Sequence, residues 1–243
     1  MRITVLTLFP ELFENFVSTS IVGRSIERGL VSVDFVQIRD FALDRYKHVD
    51  DSPFGGGAGM VMKCQPVLDA LHSVETEGCC RIMMTPSGTP YTQAKARELS
   101  KEDHLIILCG HYEGMDARIE KHMDEKISIG DYVLTGGEIP AMAVMDSVIR
   151  LLKGAIREDS TSEESYENGL LEYPQYTQPA DYEGDRVPEI LLSGNHEKIR
   201  QYRRKESLRL TREVRPDLFE KARPGFTKED LKLLRQLEEE EVQ

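Results

Sequence analysis

Ser128-Ile129-Gly130-Asp131-Tyr132-Val133-Leu134-Thr135-Gly136-Gly137-Glu138-Ile139-Pro140 places a short apolar strand between glycine-bearing turns and then launches a helix. Two earlier stretches share the design. Leu105 to Cys109 is apolar and runs into Gly110-His111-Tyr112-Glu113-Gly114, and Arg81-Ile82-Met83-Met84 runs into Thr85-Pro86-Ser87-Gly88. In open α/β sheets, ligands bind outside the carboxyl ends of the strands. Glycine at such ends lets the backbone come close to a ligand or take a positive φ. Three strand ends of this kind predict a binding site lined by backbone.

The flanking sequence supplies the sheet. Arg2 to Leu8 reads as a strand, the region from Pro10 to Gly29 as a helix with a break, and Val31 to Ile38 as a second, buried strand. Helices are expected over Pro66–Val74, Thr92–Leu99, Met115–His122 and Ile139–Leu152. Strands are expected over Cys80–Thr85, Leu105–Cys109, Lys126–Ile129 and Tyr132–Leu134. Strands alternating with helices predict an α/β fold with a mostly parallel sheet covered on both faces. Between them lies a long polar loop, Arg39 to about Met60, containing Gly55-Gly56-Gly57-Ala58-Gly59. It lacks the G-K-[ST] of a phosphate loop and the G-x-G-x-x-G of a dinucleotide site. It reads as a hinge, or as a close-approach surface for a flat substrate.

After Gly154 the composition changes. Arg157 to Asn168 is polar and acidic, Gly169 to Pro179 is extended and aromatic, and the pattern is helical from Pro188 onward. Thr227 and Asp230 are spaced as a capping box for a last helix. The expected layout is a ligand-binding α/β domain over 1–156, a linker over 157–173, and a smaller all-helical domain over 174–243.

The chain of 243 residues has a net charge of −12, which argues against a nucleic-acid partner when taken alone. Lys198 to Arg215 reverses the sign locally. Lys198, Arg200, Arg203, Arg204, Lys205, Arg209, Arg212 and Arg215 stand there against Glu206 and Glu213. This is either a solvated basic helix or a phosphate-binding surface. The cysteines Cys64, Cys79, Cys80 and Cys109 form neither a zinc pattern nor a disulfide framework. No apolar run is long enough for a membrane span, and no signal peptide is visible, so a cytoplasmic protein is expected.

Taken together, these motifs resemble the bacterial tRNA (guanine-N1)-methyltransferases, the TrmD family of the SPOUT superfamily. The resemblance runs nearly end to end, through Leu8-Phe9-Pro10, the Gly55 to Met60 loop, Cys109 to Gly114, Ser128 to Pro140, Gly169 to Thr177 and Ser193 to Arg200. It implies methyl transfer from S-adenosylmethionine to N1 of the guanosine 3′ of the anticodon, position 37 of the tRNA. It also implies a trefoil knot in the C-terminal part of the first domain, and a homodimer whose active sites draw on both chains. The donor pocket would comprise Thr85, Pro86, Gly110, Tyr112, Glu113, Gly114, Ile129, Gly130, Asp131, Tyr132, Val133, Leu134, Gly136 and Gly137. Substrate tRNA would meet Gly57, Gly59, Lys198, Arg203, Lys205, Arg209 and Arg212. The family is also associated with magnesium, for which the sequence shows no ligand cluster.

Guanine N1 carries a proton at neutral pH, so the reaction needs a base there and a donor for the charge developing on O6. By the resemblance, the donor is Arg150. The base is a carboxylate in the linker, usually aspartate in the family. Counting back from Gly169 puts Glu164 in its place, with Glu163 the alternative. His111 stands where arginine is common, and Gln178 departs from a common arginine as well. The competing expectations are a knotted methyltransferase with another target base, and an RNA-binding protein without catalysis. Failure to bind S-adenosylmethionine would favour the second.

Overall fold

The computed structural model describes residues 1–156, 164–166 and 169–241. The linker reading for 157–163 and 167–168, and with it Glu163, lies outside the described residues. The chain forms two compact units, Met1–Glu158 and Asp159–Gln243.

The first unit is built on a five-stranded sheet. β1 (Arg2–Thr7) is followed by a 3₁₀ turn at Pro10–Phe13, by α1 (Glu14–Ser18) and by α2 (Ser20–Glu27). β2 (Ser32–Gln37) follows, then the small strands β3 (Asp50–Asp51) and β4 (Val61–Met62), and α3 (Cys64–His72). β5 (Cys80–Pro90), α4 (Gln93–Leu99), β6 (His104–Cys109), β7 (Glu125–Ser128) and α5 (Glu138–Ile149) complete it. The sheet order is β2-β1-β6-β5-β7, and every neighbouring pair in it is parallel. All five carboxyl ends therefore lie on one side.

Alternation along the strands feeds two cores. Ile3, Val5, Leu105, Ile107, Ile82 and Met84 pack with Phe13, Val22 and the α5 residues Val144, Met145 and Val148. Leu6, Ile106, Leu108 and Met83 pack on the other face with Ile38, Val67, Leu71 and Ile119. Strands apolar on both faces are what a covered parallel sheet demands. α5 buries Ala141, Val144, Met145, Val148 and Ile149 beside the sheet, while Ile139, Ala143 and Asp146 on its other side are exposed.

Three local expectations are corrected. Tyr132 to Leu134 is a loop and not a strand, because Tyr132 and Val133 are exposed and pair with no neighbouring strand. Met115 to His122 is not an α-helix but a 3₁₀ turn over Ala117–His122, whose N-cap Asp116 accepts from Arg118 N–H. β5 runs on to Pro90 instead of ending at Thr85, with a register shift against β7 between Met84 and Thr89. The Gly55–Gly59 segment is the loop between β3 and β4, which pair antiparallel on either side of it.

The second unit contains β8 (Asp181–Tyr182), β9 (Asp185–Arg186), α6 (Glu189–Leu192), α7 (His196–Val214), α8 (Pro216–Ala222) and α9 (Lys228–Glu241). It is therefore not all-helical. Glu183 and Gly184 both take positive φ, and Asp181 Oδ1 accepts from Gly184 N–H, so a two-residue turn joins two short antiparallel strands. Leu170, Leu208, Phe219 and Leu233 form its core. The capping box at α9 is present. Asp230 Oδ2 accepts from Thr227 N–H at 2.9 Å, and Thr227 Oγ1 accepts from Asp230 N–H at 3.1 Å.

Candidate functional site

The carboxyl ends of β5, β6 and β7 open onto a cavity of about 360 Å³. Three backbone segments line it: Thr85 to Ser87 within β5, where its register with β7 shifts, Gly110 to Met115 after β6, and Ser128 to Gly130 with Tyr132 to Gly137 from the end of β7 onward. Every residue of the predicted donor set lies on its wall except Asp131, which is exposed. Met83, Met84, Ser87, His111, Met115, Glu120, Ile127, Ser128, Thr135 and Pro140 also line it. Of these, Ser87 stood inside a quoted turn. Glu120, which lies one turn from Asp116 on the expected Met115–His122 helix, reaches the wall from the 3₁₀ turn formed there instead.

The turns are locked to one another through backbone. Gly137 N–H donates to Gly110 O at 2.8 Å, and a Cβ on Gly137 would stand 2.7 Å from Cys109 Cα. The end of β6 and the start of α5 can touch only because that side chain is missing. The glycine hairpin is tied to the same turns. Glu113 N–H donates to Met60 O and Met62 N–H to Gly114 O, and a Cβ on Gly59 would collide with the Glu113 side chain. Tyr112 sits at φ 62°, a left-handed conformation that costs a non-glycine residue ~1–2 kcal/mol. Its hydroxyl accepts from Arg39 Nη2 at 3.2 Å. Strain held by surrounding contacts is a mark of functional walls.

Below the cavity, Glu138 is 3% exposed at the start of α5 and accepts from the Thr7 hydroxyl at 2.8 Å. Burial, and after it the charge of Glu138, pushes the neighbouring Cys109 thiol up, so this cysteine is a protonated core residue. His111 packs between Phe9 and Tyr112, with ring centroids 5.0 and 5.1 Å away, and its Nδ1 is buried without a hydrogen-bond partner.

Arg150 is the C-cap of α5, half-buried, with its N–H donating to Asp146 O. It does not line the cavity. Glu164 is half-buried at the start of a folded turn in which Tyr166 N–H donates to Leu170 O and Glu172 N–H to Ser165 Oγ.

A family model described as "tRNA (Guanine-1)-methyltransferase TrmD" matches residues 1–221. The chain belongs to the TrmD family. A protein of Ruminiclostridium cellulolyticum named tRNA (guanine-N(1)-)-methyltransferase is 57% identical over 91% of this chain and 97% of its own length. Proteins of the same name from Clostridium beijerinckii and Dictyoglomus turgidum are 52% and 50% identical, over 97% and 99% of this chain and 98% of their own.

This TrmD-family chain pairs most of its basic helix internally. On α7, Arg200 is bridged to Glu197 and Glu229, Arg204 to Asp230, Lys205 to Glu240, and Arg209 to Glu206 and Glu213. The sequence count of eight cations against Glu206 and Glu213 left out Glu197, just before that stretch, and Glu229, Asp230 and Glu240, which come from α9, far along the chain. Lys198 is exposed. Among the described residues, no group of three or more His, Cys, Asp or Glu side chains could hold a metal ion, and no helix is long and apolar enough to cross a membrane.

Proposed function

We propose that this chain is a tRNA methyltransferase that uses S-adenosylmethionine to methylate N1 of the guanosine 3′ of the anticodon, position 37. The observation that carries this reading is the backbone-lined cavity at three strand ends, which gathers the expected donor residues in a chain of the TrmD family. The cavity's chemistry fits the donor. Backbone N–H and C=O groups of the turns can read an adenine edge, and the exposed carboxylate of Glu113 suits a cationic molecule with an ammonium group. When bound, S-adenosylmethionine supplies an electrophilic methyl on a sulfonium.

The protein's own residues then have three tasks. The turns after β5, β6 and β7 orient the donor. Glu164 takes the proton from guanine N1, leaving a lone pair free to attack. Arg150 donates to O6, where negative charge builds as that proton leaves. The target guanosine is turned out of the anticodon loop and received by the glycine hairpin, Gly57 and Gly59 included, with Tyr112 and Glu113. Lys198, Arg203, Lys205, Arg209 and Arg212 in the helical region meet the RNA. By the same reading the first domain covers 1–156, its C-terminal part carries the SPOUT knot, 157–173 is the linker, and 174–243 is the tRNA-binding domain. A cytoplasmic location follows from the substrate. Tyr132 and Val133 on the cavity wall, and Ile139 at the start of α5, are large apolar residues left exposed, which supports a homodimer.

The test is methyl transfer from labelled S-adenosylmethionine to unmodified transcripts carrying guanosine or adenosine at that position, mapped to the nucleotide. Label on N1 of the guanosine alone supports the reading, and label elsewhere or none refutes it. Glu164→Gln is expected to lower the single-turnover rate by about 10²–10⁴-fold and Arg150→Ala by about 10²–10³-fold. A Glu164→Gln protein with most of its activity would move the base to another carboxylate.

A further inference from the structure

A second cavity, of about 340 Å³, lies wholly within the second unit. Tyr173, Pro174 and Tyr176 of the extended segment form part of its wall, with Leu191, Ile199 and Arg203 from the helices. Its volume falls in the range of small-ligand sites, roughly 300–1,000 Å³. In the reading above, donor and target base both sit in the first unit, so neither of them occupies this cavity.

Arg203 sets the cavity apart. Arg200, Arg204 and Arg209 on the same helix are each held by carboxylates. Among the described residues Arg203 pairs with none. Its guanidinium instead lies over the Tyr173 ring, 4.9 Å from the centroid, and its Nε is buried without a hydrogen-bond partner. Tyr176 is 48% exposed, and its hydroxyl lies near that of Tyr202 on α7. The segment thus presents a flat ring beside a guanidinium plane and apolar walls. A phosphate cradle would collect several free cations, and the neighbouring arginines are already neutralised. Flat apolar faces with one polar plane suit an aromatic heterocycle instead. RNA-binding proteins hold splayed bases in this way, stacked on tyrosine rings or arginine planes.

We propose that this cavity takes one unpaired nucleobase of the substrate RNA, stacked on Tyr176 and flanked by the Tyr173–Arg203 pair. The proposal rests on the tRNA reading above. It adds a second base contact, remote in sequence from the strand-end turns and from the catalytic residues.

The experiment measures binding of the full-length protein to an unmodified tRNA transcript by filter retention, across a salt series, with sedimentation of each protein alongside. Stacking contributes about 5- to 150-fold per base. Tyr176→Ala is therefore expected to raise Kd by a factor in that range with an unchanged salt slope, since stacking releases no counterions. Tyr176→Phe keeps the ring and should bind within about twofold of the unaltered protein. Arg203→Lys loses the planar group and should weaken binding as well. Tyr176 is exposed, so its replacement leaves the fold in place, and thermal melting of each variant checks this. Unchanged affinity in both Tyr176→Ala and Arg203→Lys overturns the proposal. So does Tyr176→Phe binding as weakly as Tyr176→Ala. A fall in sedimenting mass on Tyr176→Ala also overturns it, because the cavity would then seat a second copy of the chain. Failure of the methyl-transfer reading shows separately, as an unaltered protein that binds the transcript and leaves its guanosine unlabelled.

Discussion

Gly137→Ala tests whether the donor site depends on the contact between β6 and α5. The added methyl would lie 2.7 Å from Cys109 Cα and 2.8 Å from Gly110 N, with backbone and not a movable side chain on the far side. Real Cβ atoms do not come that close, so α5 must back away from the strand end. Overpacking of this kind costs about 1–3 kcal/mol. Losing the 2.8 Å bond from Gly137 N–H to Gly110 O adds about 0.5–1.5 kcal/mol. The sum, about 1.5–4.5 kcal/mol, is a sizeable part of an ordinary domain's ~5–15 kcal/mol, yet the unit should still fold. Its melting temperature should fall by about 3–18 °C. If the displaced turn forfeits one hydrogen bond to the donor, binding weakens by about 2- to 12-fold. Circular dichroism reads the first quantity and calorimetric titration with S-adenosylmethionine the second. Gly29→Ala is the control. It has φ +70° and open space around the added carbon, and it precedes β2, at the opposite end of the sheet from the cavity. It should lose ~1–2 kcal/mol to backbone strain and bind the donor normally. A Gly137→Ala protein with unaltered melting and donor affinity would refute the close-contact reasoning.

Asp230→Ala removes a buried carboxylate that caps α9 and pairs with Arg204, whose side chain is only 29% exposed. It should cost about 2–4 kcal/mol in the second unit by urea unfolding, somewhat less than for a fully buried pair. Burial raises the Asp230 carboxyl, but hydrogen bonds from Arg204 and Thr227 outweigh it and hold the group below its ordinary value. Arg81 does the same for Asp124. The unfolded chain therefore binds these protons more readily than the folded one. The stability they contribute is present above about pH 4 and is lost as pH falls through the folded values, so melting temperature should decline below pH 4, and less so in Asp230→Asn. Glu240→Gln frees Lys205 from its ion pair. Transcript binding should tighten and its salt slope steepen by up to about 0.9, and an unchanged slope would remove Lys205 from the RNA surface. Neutralising Lys205, Arg209 and Arg212 together should make the same slope shallower.

Period and punctuation in the sequence were enough for the parallel sheet, because strand-like stretches alternate with helical ones, the central strand β6 is buried along its whole length, and glycine turns follow β6 and β7. The same turns marked the cavity wall, since a backbone-lined pocket needs residues that let backbones approach. The capping box at Thr227 and Asp230 was legible because it is a contact between near neighbours. Other features depended on partners remote in sequence. The Gly55 to Gly59 segment looks free until β3 and β4 pair across it. The α7 cations look like an open basic surface until Glu229, Asp230 and Glu240 arrive from α9. Glu120 reaches the donor cavity, and Asp131 misses it, through turn geometry that no spacing rule encodes. Local conformational preference and burial pattern are properties of short stretches, and the sequence determined them. Which charges are neutralised, and which side chains share a cavity, depends on contacts across tens of residues, and only the tertiary structure decided those.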